Sequence, residues 1–224
     1  MSQDMSWLPH FWGETWRREG NLPGLIPQLL QRLGLLKYLA RISSRSKMKS
    51  LVPGMFLSKL MYGMQLTSSI WGLSSYGEYE LAKQSCPRGT LAKLQTAQRQ
   101  VAALLCPHIH LDYYTPTSYV LQQADLLSVH QLAALSVLTL ALRIIRTGKP
   151  RFLADRLKPH QSRGRSSQLL LVPKLRLNQS HEGFVNQACR LVNMLPPEIM
   201  ADISARRRKT LLRVWVLNNI LAKP

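Results

Sequence analysis

Apolar residues recur at three- and four-residue steps along most of the chain, the spacing that turns one face of an α-helix toward a core. Leu25, Leu29, Leu33, Leu36 and Leu39 form the first such stripe, with Arg32, Lys37 and Arg41 on other faces. Pro23, Gly24 and Pro27 mark its start, and the Ser-rich basic stretch ISSRSKMKS ends it. A second helix is expected from about Ser46 through Tyr62, bent at Pro53 and Gly54, before WGLSSYGEYE turns into a loop. After a break at Cys86, Pro87, Arg88 and Gly89, a third helix from Thr90 to Leu105 buries Leu91, Leu94, Ala97, Val101 and Leu105. It presents Lys93, Gln95, Arg99 and Gln100 outward and stops at Pro107. Thr115 before Pro116 suits the start of a short helix, with the proline at its first position. Asp125 or Ser128 begins the longest helix, which runs through His130 to about Arg146 and closes with Gly148 and Pro150 in the expected order.

The pattern changes after Leu157. Residues 158–168 (KPHQSRGRSSQ) are basic, Ser-rich and poor in apolar side chains, the composition of an exposed linker. The short apolar run Leu169 to Leu177 allows a pair of strands around Pro173. A helix from about Glu182 to Leu195, the pair Pro196 and Pro197, and a last helix carrying RRRKTLLRVWVLNNI complete the chain, with no internal repeat. The expected fold is therefore mostly α: five to seven helices in a bundle to about Leu157, then a small C-terminal subdomain with a hairpin and two helices.

Composition sharpens this picture. With 224 residues, 46% of them hydrophobic, the chain can bury a sizeable core. Thirty Lys and Arg stand against eleven Asp and Glu, a formal charge of +19, and a compact body holding that excess repels itself unless a polyanion relieves it. Nucleic acid and an anionic membrane surface both qualify. Three cysteines, Cys86, Cys106 and Cys189, at wide spacings give no disulfide framework and fit a reducing compartment. The N-terminal residues, with Asp4, Glu14 and several Trp, lack the positive start and apolar core of a secretion signal. Leu132 to Leu142 is apolar but closed off by Arg143, short of the roughly 18 residues a membrane span needs, and reads as a buried helix. These features point to an intracellular protein, cytoplasmic or nuclear, that neither is secreted nor spans a membrane.

Taken in order, the segments resemble the C-terminal part of invertebrate non-LTR retrotransposon reverse transcriptases. SWLPH (Ser6 to His10) looks like the stretch that leads from the palm into the first thumb helix, and LIPQLLQRLGLLKYLARIS (Leu25 to Ser43) sits where that helix belongs. KMKSLVPGMFLSKLMYGMQLTSSIWG (Lys47 to Gly72) resembles the helix in which Ser-Lys-Leu precedes Tyr-Gly and then Trp-Gly. LAKLQTAQRQVAALL corresponds to the following Leu-Gln-rich helix, ahead of the turn at Thr115 and Pro116. LLSVHQLAALSVLTLALRIIRTGKPRFL (Leu126 to Leu153) has the Ser-Val-His-Gln-Leu opening and Gly-Lys-Pro exit of a further helical block. GFVNQACRLVNMLPPEI (Gly183 to Ile199) is similar to the closing Trp-Asn-x-Leu-Pro-x-Glu-Ile signature, except that Val192 stands where the family has Trp.

The resemblance implies a palm-to-thumb connection at residues 1–24, a thumb-like and post-thumb helical domain at 25–157, a basic linker at 158–168 and a C-terminal subdomain at 169–224. The family's catalytic turn carries an Asp-Asp pair that holds two metal ions, and no Asp-Asp pair occurs in this chain. A CxxC zinc knuckle is absent too. We therefore expect no polymerase activity, no cofactor, no metal and no small-molecule substrate from this sequence. The expected partner is the backbone of RNA or DNA, together with the missing palm or a second copy where apolar surface is exposed.

By the same resemblance, Arg32, Lys37, Arg41, Arg45, Lys47, Lys49 and Lys59 would line a groove that tracks a template-primer backbone, with sequence-independent contacts to phosphates. The bland alternative is a solvated helix face. Arg206, Arg207, Arg208 and Lys209 form the densest cationic cluster, suited to nucleic acid or to nuclear localisation, or else ordinary surface. Arg163 and Arg165 add charge in the linker. Cys106, His108 and His110 carry zinc-type donors, but Pro107 intervenes and the spacing fits no familiar finger. His130 has no evident partner for acid–base work, and Trp7, Trp12 and Trp16 suit either base stacking or packing. Rival readings are a remnant acting through protein contacts and a basic helical protein bound to a membrane surface.

Overall fold

The computed structural model describes residues 22–61, 88–109, 112, 114–157, 170–172, 184–201 and 204–220, and among these the chain is mostly helical. Helix α1 (Leu22–Ile42) starts a turn earlier than its apolar stripe, because Pro23 lies in the first turn, where backbone N–H groups have no partner inside the helix. It buries Leu29, Leu33 and Leu36. Helix α2 (Arg45–Val52) is capped by Ser44, whose hydroxyl accepts from the Lys47 N–H, and buries Met48 and Val52. The expected bend at Pro53 and Gly54 takes the form of a wider π-helical turn, Pro53–Leu57, that runs straight into α3 (Ser58–Met61). Pro53 has no N–H to continue the ladder, and the Ser58 N–H reaches back five residues to the Pro53 carbonyl. The Ser58 hydroxyl donates to the Gly54 carbonyl in the same turn.

Helix α4 (Arg88–Leu105) buries Leu94, Ala97, Val101 and Leu105 as its spacing dictates. It also buries Gln98, whose Nε2 donates to the Leu127 carbonyl at 2.6 Å. Helix α5 (Thr117–Gln123) begins one residue later than expected, with Pro116 as its cap, while the Thr115 hydroxyl accepts from the Asp112 N–H. Asp125, in the left-handed region at φ 54°, closes α5 instead of opening the next helix. Ser128 starts α6 (Val129–Thr147) through a reciprocal capping box: its hydroxyl accepts from the Gln131 N–H, and its own N–H donates to Gln131 Oε1 at 2.9 Å. Gly148, at φ 64°, ends α6 with its N–H on the Ile144 carbonyl, and α7 (Arg151–Ala154) follows at once. The C-terminal elements are α8 (Phe184–Asn193), α9 (Pro197–Met200) and α10 (Ala205–Asn219).

Helix α6 is the centre of the molecule. On one side α1 packs against α2, α3 and α4, of which α3 and α4 meet α6; on the other, α8 and α10 both lie along α6. By length and composition α6 could cross a membrane, yet most of its apolar window is buried inside the protein, in keeping with a core helix. A single set of packed buried side chains runs from Leu29 to Ile220. The C-terminal helices therefore share the core of α6 and do not enclose a separate one among the described residues.

The strand pair expected at Leu169 to Leu177 is represented here by Leu170–Val172, which form no strand; the rest of it lies outside the described residues. Leu170 is a single β-bridge residue, and its backbone also pairs with a side chain. Its N–H donates to Asn193 Oδ1 at 2.7 Å and its carbonyl accepts from Asn193 Nδ2 at 3.0 Å, so the carboxamide ties this residue to the end of α8 with both its donor and its acceptor.

Candidate nucleic-acid interface

Burial of Leu29, Leu33 and Leu36 fixes the rotation of α1, and on its far side Lys37 and Arg41 stand four residues apart on one exposed face. Met48 and Val52 orient α2 in the same way, which leaves Arg45 and Lys49 together on one exposed face and Lys47 on another. The Arg45 guanidinium reaches the end of α4, with Nη2 4.0 Å from the Cys106 sulfur. Arg32 and Lys59 are half-buried, and Arg32 Nη1 donates to the Met55 carbonyl inside the π-helical turn. Arg32 thus has a structural task, leaving Lys37, Arg41, Arg45, Lys47 and Lys49 as the exposed cations of this unit. From residue 22 to residue 61 the chain has seven Lys and Arg and not one Asp or Glu. An ordinary solvated surface interleaves the two signs.

The second expected cluster needs correction. Arg206, Arg207 and Lys209 are exposed at the start of α10, but Arg208 is buried at 7% exposure. Its Nε donates to the Ile199 carbonyl at 3.3 Å and its Nη2 to the Ala201 carbonyl at 2.9 Å. These are carbonyls at the end of α9, where a short helix leaves acceptors without partners. Arg208 holds α9 against α10 and cannot serve as a surface phosphate contact.

The structure also assembles a basic corner that the linear pattern did not single out. Arg143, Arg146, Lys149, Arg151 and Arg156 are all exposed around the end of α6 and the short α7, with Asp155 as the carboxylate among them. Spacing over two to five residues across a Gly-Lys-Pro turn hid the cluster, which only the fold of the turn gathers. Elsewhere Arg213 makes a 2.9 Å ion pair with Asp125 and donates to the Asp125 carbonyl, and Arg99 donates to the Asp112 carbonyl.

Of the zinc-type donors, Cys106 is buried, His108 is exposed and His110 lies outside the described residues. Among the described residues no three His, Cys, Asp or Glu side chains come together as metal ligands. His130 is buried in the first turn of α6. Trp7, Trp12, Trp16, Arg163 and Arg165 lie outside the described residues. The arrangement offers exposed charge on helical surfaces, a form suited to contacts with phosphates and not with base edges. Comparison with protein-family models, with curated proteins and with solved structures finds no match for this chain.

Proposed function

We propose that this protein grips RNA or DNA through the phosphate backbone, without sequence preference and without catalysis, as the thumb-like part of a reverse-transcriptase-like polypeptide. The observation that supports it most is the sign of the charge on the α1–α3 unit. Seven cations and no carboxylate occupy 40 consecutive residues, 22–61, that a rigid core holds in place. Each phosphate neutralised releases a counterion, so affinity falls by about 0.7 to 0.9 decades per contact for each decade of salt.

The test is fluorescence anisotropy of an RNA–DNA hybrid hairpin over a salt series. The control is a variant in which Lys37, Arg41 and Arg45 become Gln while three cations are added on α8 and α10. We expect the wild type to show a steep slope and the variant to lose about two to three units of it, one for each contact removed. Equal slopes for the two would reduce the binding to net charge and end the proposal.

One observation favours a second partner on the same helix. Leu35, Tyr38 and Ile42 are exposed at 51%, 63% and 69%, at the spacing of one stripe along α1. A palm domain, or a second copy of the chain, is the occupant this reading assigns to it. Analytical ultracentrifugation at high salt, where charge repulsion is screened, should show association that Ile42→Glu abolishes.

A further inference from the structure

We propose that the corner between α6 and α7 is a clasp for single-stranded nucleic acid, with Phe152 as its stacking platform and Arg143, Lys149, Arg151 and Arg156 as its phosphate contacts. The inference rests on the nucleic-acid reading above and gives it a substrate form that the α1–α3 surface does not specify. Phe152 is 68% exposed, although an aromatic ring of this size normally contributes to a core. Its neighbours Leu153 and Ala154 do pack against the core, so α7 is seated and its ring is still turned outward. Exposed cations surround it on both sides in the chain.

The geometry of the turn is fixed. Gly148 closes α6 with a 2.8 Å bond to Ile144, the Thr147 hydroxyl donates to the Arg143 carbonyl at 2.8 Å and accepts from the Lys149 N–H at 3.3 Å, and the Leu153 and Ala154 N–H groups return to the Pro150 carbonyl. Lys149, Arg151 and Phe152 are thereby held beside the last turn of α6.

Stability of the fold accounts for only part of this charge. Arg143 and Arg146, in the last turns of α6, complement the negative end of its dipole. Arg151 has the opposite placement, at the first position of α7, and Asp155 caps the C-terminal end of that helix. Both run against the helix dipole, so the dipole does not account for the cation there.

Single-stranded nucleic acid fits this combination better than duplex does. The bases of a duplex are stacked on one another and present no free face, whereas an unpaired base can lie on an exposed ring while flanking phosphates meet the cations. Sequence tolerance follows, since every base has such a face. RNA and DNA share the chemistry and are separated by the test.

The experiment compares full-length wild type with Phe152→Ala, Phe152→Trp and the triple variant Lys149→Gln, Arg151→Gln, Arg156→Gln. The probes are mixed-sequence single strands of about 12 nucleotides, as RNA and as DNA, a perfect duplex, and phosphatidylserine-containing phosphatidylcholine vesicles. We expect Phe152→Ala to weaken single-strand binding roughly tenfold and leave duplex binding unchanged, and Phe152→Trp to retain wild-type affinity. An RNA-to-DNA difference in that loss identifies the preferred strand. An oligonucleotide carrying 5-iodouracil should photo-cross-link to the peptide containing Phe152. Wild-type single-strand affinity in both Phe152→Ala and the triple variant overturns the clasp, as does a loss confined to vesicle binding, which would make the corner a membrane contact. Failure of the α1–α2 charge variant to change hybrid binding, with the Phe152 effect intact, refutes the thumb-like grip and leaves the clasp standing.

Discussion

Of the four cations that open α10, helix geometry turns only Arg208 inward, since Arg208, Leu212 and Val216 form one four-residue row and all three are buried. The row was present in the sequence, but a run of four cations invites a single interpretation and hides the one member whose downstream neighbours are apolar. Replacing Arg208 with Ala leaves the Ile199 and Ala201 carbonyls unpaired and should cost about 2 to 3 kcal/mol, while Arg206→Ala should stay within about 0.5 kcal/mol. Urea midpoints measure the difference, and equal midpoints would return Arg208 to the surface cluster. Cys189, in the middle of α8, tests burial in another way: desolvation pushes its thiol from 9.0 up to about 11. Because the folded state holds the proton more tightly, its contribution to stability is complete below pH 9 and declines as pH rises toward 11. Denaturation midpoints of wild type and Cys189→Ala should therefore converge over that window, and parallel curves would mean the thiol is solvated.

At the scale of elements, the short motifs behind the family resemblance have local physical tasks. In Ser-Val-His-Gln-Leu, Ser128 and Gln131 make the capping box of α6, and the other end of the Gln131 carboxamide donates to the Ile220 carbonyl at 2.9 Å. In Gly-Lys-Pro, Gly148 supplies the left-handed cap that only glycine adopts without cost. In the closing signature, Asn193 pairs with Leu170, Pro197 starts α9 and Ile199 is buried. Helix starts, stops and buried faces were legible because each depends on residues close in sequence. The partners of Gln131, Asn193 and Arg208 were not, because a polar side chain announces that it needs a partner without saying which. Gln131→Ala removes the box and the tie together and should lower stability by about 2 to 4 kcal/mol. Gln131→Glu keeps an acceptor for the Ser128 N–H but sets a carboxylate against the Ile220 carbonyl, so thermal melts should rank it below wild type at neutral pH and show partial recovery in acid. Identical melting of all three proteins would show that Gln131 is dispensable.

For the whole molecule, the charge excess was legible from composition and its distribution was not. Counting gives +19, but a helix must be rotated by its buried leucines before Lys37 and Arg41 become a surface, and a turn must close before Arg143 and Arg156 become neighbours. Two basic regions result, one on α1–α2 and one at the α6–α7 corner, and they should respond differently to salt and to strand form. Binding of the hybrid hairpin should weaken steeply between low and physiological salt, as counterion release requires. Single-strand binding should retain a residual, salt-resistant part from stacking, seen as a shallower slope in parallel titrations.

The hydrogen bond from Gln131 to Ile220 also bears on how the protein is made. Its partners are 89 residues apart, and α8 and α10, which cover α6, are synthesised after α6 itself. At a ribosomal rate of about 5–20 residues per second, α6 waits on the order of 5 to 20 s for its cover. Throughout that interval the helix that is, among the described residues, long and apolar enough to cross a membrane is displayed on a nascent polypeptide. Synthesis speed thus sets how long this segment is exposed to chaperones, to membranes and to other unfinished copies of itself.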